Sequence, residues 1–439
     1  MENNGRDQFV SKIGFILACV GSAVGMANIW LFPYRLGQLG GAAFLIPYLL
    51  FVFLIGYTGV VEEMAFGRAM KTGPLGAFHK ATLQKGSNAG SLIGWIPVLG
   101  SLGIAIGYAV VVGWILRFTF GAFTGAMLGA SDSGAYFGAI VGKFGSMKWH
   151  ILALVIAFAI MIAGVASGIE KVNKVMMPAF FIMFLILAVR VMMLPGSGDG
   201  YRYLFYPDWS KLANPMTWVF ALGQAFFSLS LAGSGTLVYG SYLNDREDVT
   251  TGARDVAIFD TLAALLAAVV IIPAVFAYGI EVSAGPPLLF ITMPVVFKEM
   301  PGGALFAAIF FVAVLFAGVT SLINLFETPV EALQNKFKFS RAKSIAVIAV
   351  ISFVIGIFVQ DAEVLGKWMD VVSIYIIPLG ALLAATMFFW VCSKKFAMDE
   401  ISKGRKTRIG EGFYNWGKYV FCGVTVLVYI LGIMYGGIG

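Results

Sequence analysis

The sequence predicts an all-α polytopic membrane protein. Three observations carry that prediction: 59% of the 439 residues are hydrophobic, only 12% are charged, and apolar runs recur along the whole chain with short polar breaks. A soluble domain carries about 25% charged residues, and a helix crossing a bilayer needs about 20 predominantly apolar ones. Runs such as Ala263 to Phe276 are continuously apolar, whereas the strands of a membrane β-barrel alternate apolar and polar side chains. Helices satisfy their own peptide groups in lipid, so a helical bundle is expected.

Eleven spans can be read, at approximately 13–37, 42–70, 91–124, 150–168, 171–194, 215–243, 252–282, 302–334, 342–359, 366–393 and 412–436. An odd number puts the termini on opposite sides. With the N-terminus cytoplasmic, the inside segments hold about 21 Lys and Arg and the outside ones about 7, the bias expected of a multi-pass protein in an inner (plasma) membrane. The same orientation accounts for the net charge of +7 and for the basic stretches Lys336 to Lys343 and Lys394 to Arg408, with no nucleic-acid partner implied. Cys19, Cys392 and Cys422 show no paired spacing and read as packing residues, and the two histidines, His79 and His150, lie far apart in connecting segments. Met1 to Lys12 lacks the pattern of a cleaved signal peptide, so the first span is expected to be retained. No Asn-x-Ser/Thr sequon occurs, which fits a prokaryotic source. Nothing resembles a nucleophile–base pair, a metal cluster or a nucleotide loop, so an enzyme is not expected.

Two spans are interrupted. The first contains Gly21-Ser22-Ala23-Val24-Gly25-Met26-Ala27-Asn28, with Pro33 shortly after, and the sixth contains Ser228-Leu229-Ser230-Leu231-Ala232-Gly233-Ser234-Gly235. Their five-span separation suggests two five-helix repeats of inverted topology, at about 13–194 and 215–393, with an extra helix at about 412–436. The whole chain, 1–439, is then a single transmembrane domain. Unwound backbone at membrane depth is tolerated only where it is buried or lines a cavity. Free N–H groups at a half-helix start attract an anion, and free carbonyls at a half-helix end coordinate a cation. Gly21 and Gly25 also have the GxxxG spacing of a helix-packing seam, so spacing alone leaves site and seam both open.

The chain resembles the neurotransmitter:sodium symporters, in the form of the prokaryotic eleven-helix amino-acid transporters. The resemblance rests jointly on Ala23-Val24-Gly25-Met26-Ala27-Asn28, Phe32-Pro33, Gly40 to Tyr48, Gln224 to Leu231 and Phe316-Ala317-Gly318-Val319-Thr320-Ser321, and runs from about Arg6 to the end of the eleventh span. It implies a sodium-coupled symporter that imports a neutral amino acid, with a hydrophobic side chain favoured, by alternating access. Two sodium sites are implied. The first would use Ala23, Asn28, Ser228 and Asp260. The second would use Gly21, Val24, Ala317, Thr320 and Ser321, although the hydroxyls of Thr320 and Ser321 could instead bond back to the preceding helical turn. A carboxylate at the bilayer centre costs roughly 2.5–3.5 kcal/mol, so Asp260 either has a compensating cation or lies near the cytoplasmic interface beside Arg254 and Asp255. Where the family often has Asn and balances the site with bound chloride, a fixed carboxylate at Asp260 implies that chloride is not required.

Gly25 stands where monoamine-transporting relatives carry aspartate, which favours an amino acid whose own carboxylate completes the first sodium site. By the same resemblance Tyr108 hydrogen-bonds that carboxylate, and Ala27, Ile104, Phe227, Ser230, Gly233, Ser321 and Leu325 form the rest of the pocket. These walls are mostly apolar, and burying an unpaired charge there would be costly, so the side chain should be neutral. Glu63 matches a buried glutamate that supports the unwound segments; an interfacial charge is the other reading. The gates depart from the pattern. Leu31 replaces the usual outer arginine, leaving Asp370 as the nearest candidate partner with Arg35 one turn on. Arg6 and Phe9 match the inner gate, but the expected acidic partner is Asn335. These departures leave open a non-transporting, sodium-dependent amino-acid receptor or sensor. No partners beyond substrate and lipid are implied.

Overall fold

The computed structural model describes residues 7–231, 234–282 and 285–438. Among these residues every element is helical. Eight helices are long and apolar enough to cross a membrane unaided: Ala42–Met70, Gly90–Thr124, Val165–Met192, Val249–Ala277, Gly303–Phe337, Arg341–Phe358, Ala362–Val391 and Glu411–Tyr435. Lys12–Ala23 and Ala27–Gln38 form a ninth span bent by 57° at its break. The shorter apolar helix Met147–Ile162 and the interrupted pair Pro215–Ser228 and Gly235–Ser241 occupy the places of the fourth and sixth spans.

The break in the first span follows from its sequence. Ala23 ends the helix and Val24 turns to extended backbone (φ −69°, ψ 110°), while Pro33 lies within the following helix Ala27–Gln38, where its missing N–H leaves a carbonyl of the preceding turn without its usual donor. In the sixth span Ser228 ends the first half, and Ser230 and Ser234 adopt left-handed backbone (φ 54° and 51°). That conformation is uncommon away from glycine, and at Ser230 the side chain bonds across the bundle to the Ser22 carbonyl at 2.9 Å.

One boundary differs from expectation. The polar run Gly168-Ile169-Glu170-Lys171 reads as a connection, yet it lies inside the fifth span, and the chain turns instead at Gly164 (φ +92°). Glu170 is buried and fully engaged, accepting hydrogen bonds from the Val10 and Ser11 N–H groups and the Ser11 hydroxyl and pairing with Lys174 at 2.6 Å. The connection from the seventh to the eighth span also contains helix, Leu288–Thr292 running into Met293–Glu299. Its Phe290 packs on Trp114, Phe118 and Phe137 and closes one end of the bundle.

The third and eighth spans lie side by side; the broken first span packs on the fifth, seventh and eighth, and the broken sixth span packs on the second, with its second half also against the first and eighth. This arrangement brings both breaks to the middle of the bundle.

Candidate substrate and ion site

At the breaks, oxygen atoms from three spans converge. Asp260, in the interior of the seventh span, is fully buried in the bundle. Its Oδ2 accepts from the Ser228 hydroxyl at 2.6 Å, and its Oδ1 accepts from Asn28 Nδ2 at 2.7 Å. The Asn28 amide also donates to Ser228 Oγ (3.0 Å) and to the Asp260 carbonyl (3.2 Å), while its own oxygen accepts from the Gly25 N–H at 3.0 Å. One NH₂ group therefore sits against the side chains of Ser228 and Asp260 and a peptide carbonyl. The hydroxyl, carboxylate and carbonyl oxygens here suit a hard cation, although the Asn28 side chain turns its NH₂ and not its oxygen toward them, and Ala23 is the last helical residue before the break.

The second set of oxygens lies one turn earlier on the first span, against the eighth. Thr320 bonds back to the carbonyls of Phe316 (2.9 Å) and Ala317 (3.2 Å), so for this residue the back-bonded arrangement is the one present. Ser321 instead reaches across to the Ser22 carbonyl at 3.3 Å, which Ser230 also contacts at 2.9 Å. The two broken spans and the eighth are thus tied together at one carbonyl. Gly21 faces Thr320, whose Cβ would lie 2.9 Å from a side chain placed there, and Val24 makes the extended turn above it.

A cavity of about 290 Å³ opens beside both clusters. Gly25, Ala27, Ile104, Tyr108, Phe227, Ser230, Ser321 and Leu325 all line it, as expected for pocket residues. Tyr108 OH accepts from the Met26 N–H at 3.3 Å. A Cβ on Gly25 would stand 3.0 Å from that hydroxyl and 3.4 Å from Ser321 Oγ, so any side chain here would project into the cavity. Gly233 lies outside the described residues. Trp30, Val111, Asn324, Met369 and Ile377 line the cavity too and were missed; Leu31, which the sequence singles out only at the outer gate, also lines it. Met369 carries no motif but directly precedes the named Asp370.

Both Glu62 and Glu63 are buried in the bundle. Glu63 takes a backbone hydrogen bond from Leu237, in the first turn of the second half of the sixth span. A carboxylate at a helix start satisfies donors that the broken helix leaves free.

The expected gate pairs take other partners. Asp370 is exposed, and Arg35 turns away from it to donate to the Ile438 carbonyl at 2.8 Å and to cover the Phe220 ring. At the opposite end Phe9 packs edge-on against Phe15, Tyr239 and Tyr242. Arg6 lies outside the described residues, and Asn335 donates to Thr72 at 2.7 Å. An unforeseen buried pair joins the same end: Glu327 accepts from Arg341 Nη1 and Nη2, both at 2.8 Å, and from Tyr242 OH at 2.7 Å, while Arg341 Nε binds the Met161 carbonyl.

Comparison with known proteins decides the family. The profile of the sodium:neurotransmitter symporter family matches residues 6–134 and 137–437. The chain belongs to this family. It is 34% identical over 425 residues to the sodium-dependent transporter YhdH of Bacillus subtilis, with 93% of each chain covered. A sodium-dependent transporter of Methanocaldococcus jannaschii is 31% identical over 458 residues, covering 98% of this chain and 90% of its own. The crystal structure of MhsT in complex with L-phenylalanine superposes with a TM-score of 0.87 at 32% identity, covering 98% of this chain and all of that one. The fold is therefore that of the symporters, two inverted five-helix repeats with unwound first and sixth helices plus an eleventh helix, and the protein is a sodium-dependent transporter.

Proposed function

We propose that this symporter imports a neutral amino acid together with sodium by alternating access, with the N-terminus cytoplasmic. The observation that carries the reading is the side-chain-free floor at Gly25, with Tyr108 OH 3.0 Å from where a side chain would begin and the Asn28–Ser228–Asp260 cluster one turn away. An α-carboxylate lying over Gly25 would meet the Tyr108 hydroxyl and stand beside the cation held by Asn28, Ser228 and Asp260. Substrate and ion then stabilise each other by direct charge contact, a reciprocal coupling that makes uptake depend on sodium.

The repeats run at about 13–194 and 215–393, with 412–436 outside them. Two sodium sites serve the cycle, the first at Ala23, Asn28, Ser228 and Asp260 and the second at Gly21, Val24, Ala317, Thr320 and Ser321. Asp260 supplies the negative charge that chloride provides elsewhere, so transport runs without chloride. The bound phenylalanine of MhsT supports a substrate with an apolar side chain, as do Ile104, Val111 and Phe227 around the cavity. Closure toward the cytoplasm uses Glu327, Arg341 and Tyr242, with Phe9 packed on the same tyrosine.

A thermal-shift screen of neutral amino acids in sodium and in potassium tests this, because a ligand that binds only the folded form raises its apparent stability. Stabilisation by one or more neutral amino acids in sodium alone is expected. Equal stabilisation in potassium would overturn the coupling.

A further inference from the structure

Asn173, on the fifth span, is fully buried, and its amide oxygen has no hydrogen-bond partner among the described residues. The amide orientation is set by its own helix: Nδ2 donates to the Ile169 carbonyl at 2.9 Å, and turning it over would put oxygen against oxygen there. The free oxygen consequently faces Gly21, so closely that a Cβ on that glycine would overlap it. The same imagined Cβ lies 3.2 Å from Thr320 Oγ1, so the two side-chain oxygens flank one backbone position. One turn along from Asn173, Met177 Sδ lies 3.7 Å from the same hydroxyl, which fixes this face of the fifth span against Thr320.

A buried amide acceptor left without a donor costs free energy unless something electropositive completes it. Thr320 cannot, because its proton is directed at the Phe316 and Ala317 carbonyls. That arrangement leaves the lone pairs of Thr320 open beside the Asn173 oxygen. A cation satisfies it.

We propose that Asn173 supplies a side-chain oxygen ligand to the second sodium position, making the fifth span a third wall of that site beside the first and eighth. The proposal rests on the sodium-coupled reading above.

The test is a sodium titration of thermal stability on purified full-length protein without substrate, with potassium holding the ionic strength. Asn173→Ala is expected to raise the half-saturating sodium concentration by about tenfold or more, the loss of one ion–dipole contact, measured from the variant's own melting temperature in potassium, which absorbs the lost packing and the lost bond to Ile169. The effect should be less than multiplicative with that of Thr320→Ala, because both residues serve one ion. Asn173→Asp keeps the oxygen and adds charge, so its half-saturation should equal or fall below wild type. Should the alanine variant fail to fold, the aspartate variant decides. A wild-type sodium response in Asn173→Ala, or an aspartate variant as impaired as alanine, overturns the proposal while leaving the sodium-coupled reading intact. Absence of any sodium response in the unaltered protein overturns both.

Discussion

Replacing Asp260 by asparagine separates the site's charge from its shape. The carboxylate accepts from Ser228 at 2.6 Å and from Asn28 at 2.7 Å, and all three residues are wholly buried. Asparagine fits the same space but turns one acceptor into a donor and removes the negative charge. A unit charge about 4 Å from the ion is worth about 4 kcal/mol at an effective dielectric of 20, an upper bound. Hydrogen bonds to charged groups contribute about 1.5–3 kcal/mol. A loss of about 2–3 kcal/mol in sodium binding is therefore expected, which is about a 30- to 150-fold rise in half-saturating sodium. In potassium the sign reverses: with no cation to balance it, a buried carboxylate is a liability, so Asp260→Asn should melt at or above the wild-type temperature. The assay is a sodium titration of substrate-dependent stabilisation, run in chloride and in gluconate. The wild type should be indifferent to the anion and the variant should regain part of its sodium affinity in chloride. A variant with sodium half-saturation within about threefold of wild type in gluconate would refute the reasoning, since a unit charge beside the ion could not be so cheap to remove.

Tyr108→Phe deletes the hydroxyl that accepts from the Met26 N–H; it should raise KM for the amino acid about tenfold, the worth of one hydrogen bond to a charged group, with the maximal rate less affected, as read by initial-rate uptake. Gly25→Asp puts a carboxylate where Tyr108 OH and Ser321 Oγ crowd the cavity, and amino-acid binding should be abolished in calorimetry while sodium binding persists. Arg341→Ala leaves Glu327 buried with only Tyr242 for company, which should cost about 3–5 kcal/mol of stability, whereas Glu327→Gln with Arg341→Met should recover most of it in thermal melts.

Much of this site is legible in the sequence because the groups proposed to bind ions are out of place in an apolar helix. Asp260, Ser228 and Asn28 announce themselves as polar residues at membrane depth, and the glycines at 21 and 25 announce the break. Pairings between such residues are harder to read. Glu327 is a polar residue on an apolar span, but nothing in its neighbourhood names Arg341 and Tyr242, which reach it only after the sixth, eighth and ninth spans pack. Arg35 is one turn from Leu31 and invites an outer-gate role, yet the fold offers it the Ile438 carbonyl from the far end of the chain. The turn between the fourth and fifth spans was misplaced because Glu170 and Lys171 look like a polar connection, when the glutamate is held inside by the N-terminal segment. Asn173 carries no motif, and only the contact of the fifth span with Gly21 gives its oxygen a meaning.

The central claim is that two facing breaks bind an amino acid and sodium as one coupled load. Uptake of radiolabelled neutral amino acids into proteoliposomes, driven by an imposed sodium gradient with chloride replaced throughout, tests it most directly. Accumulation above the external concentration, collapsing when sodium is equalised across the membrane and unchanged by the loss of chloride, is the predicted result. Sodium-dependent binding with no accumulation across the full panel would contradict it and leave a receptor in place of a transporter.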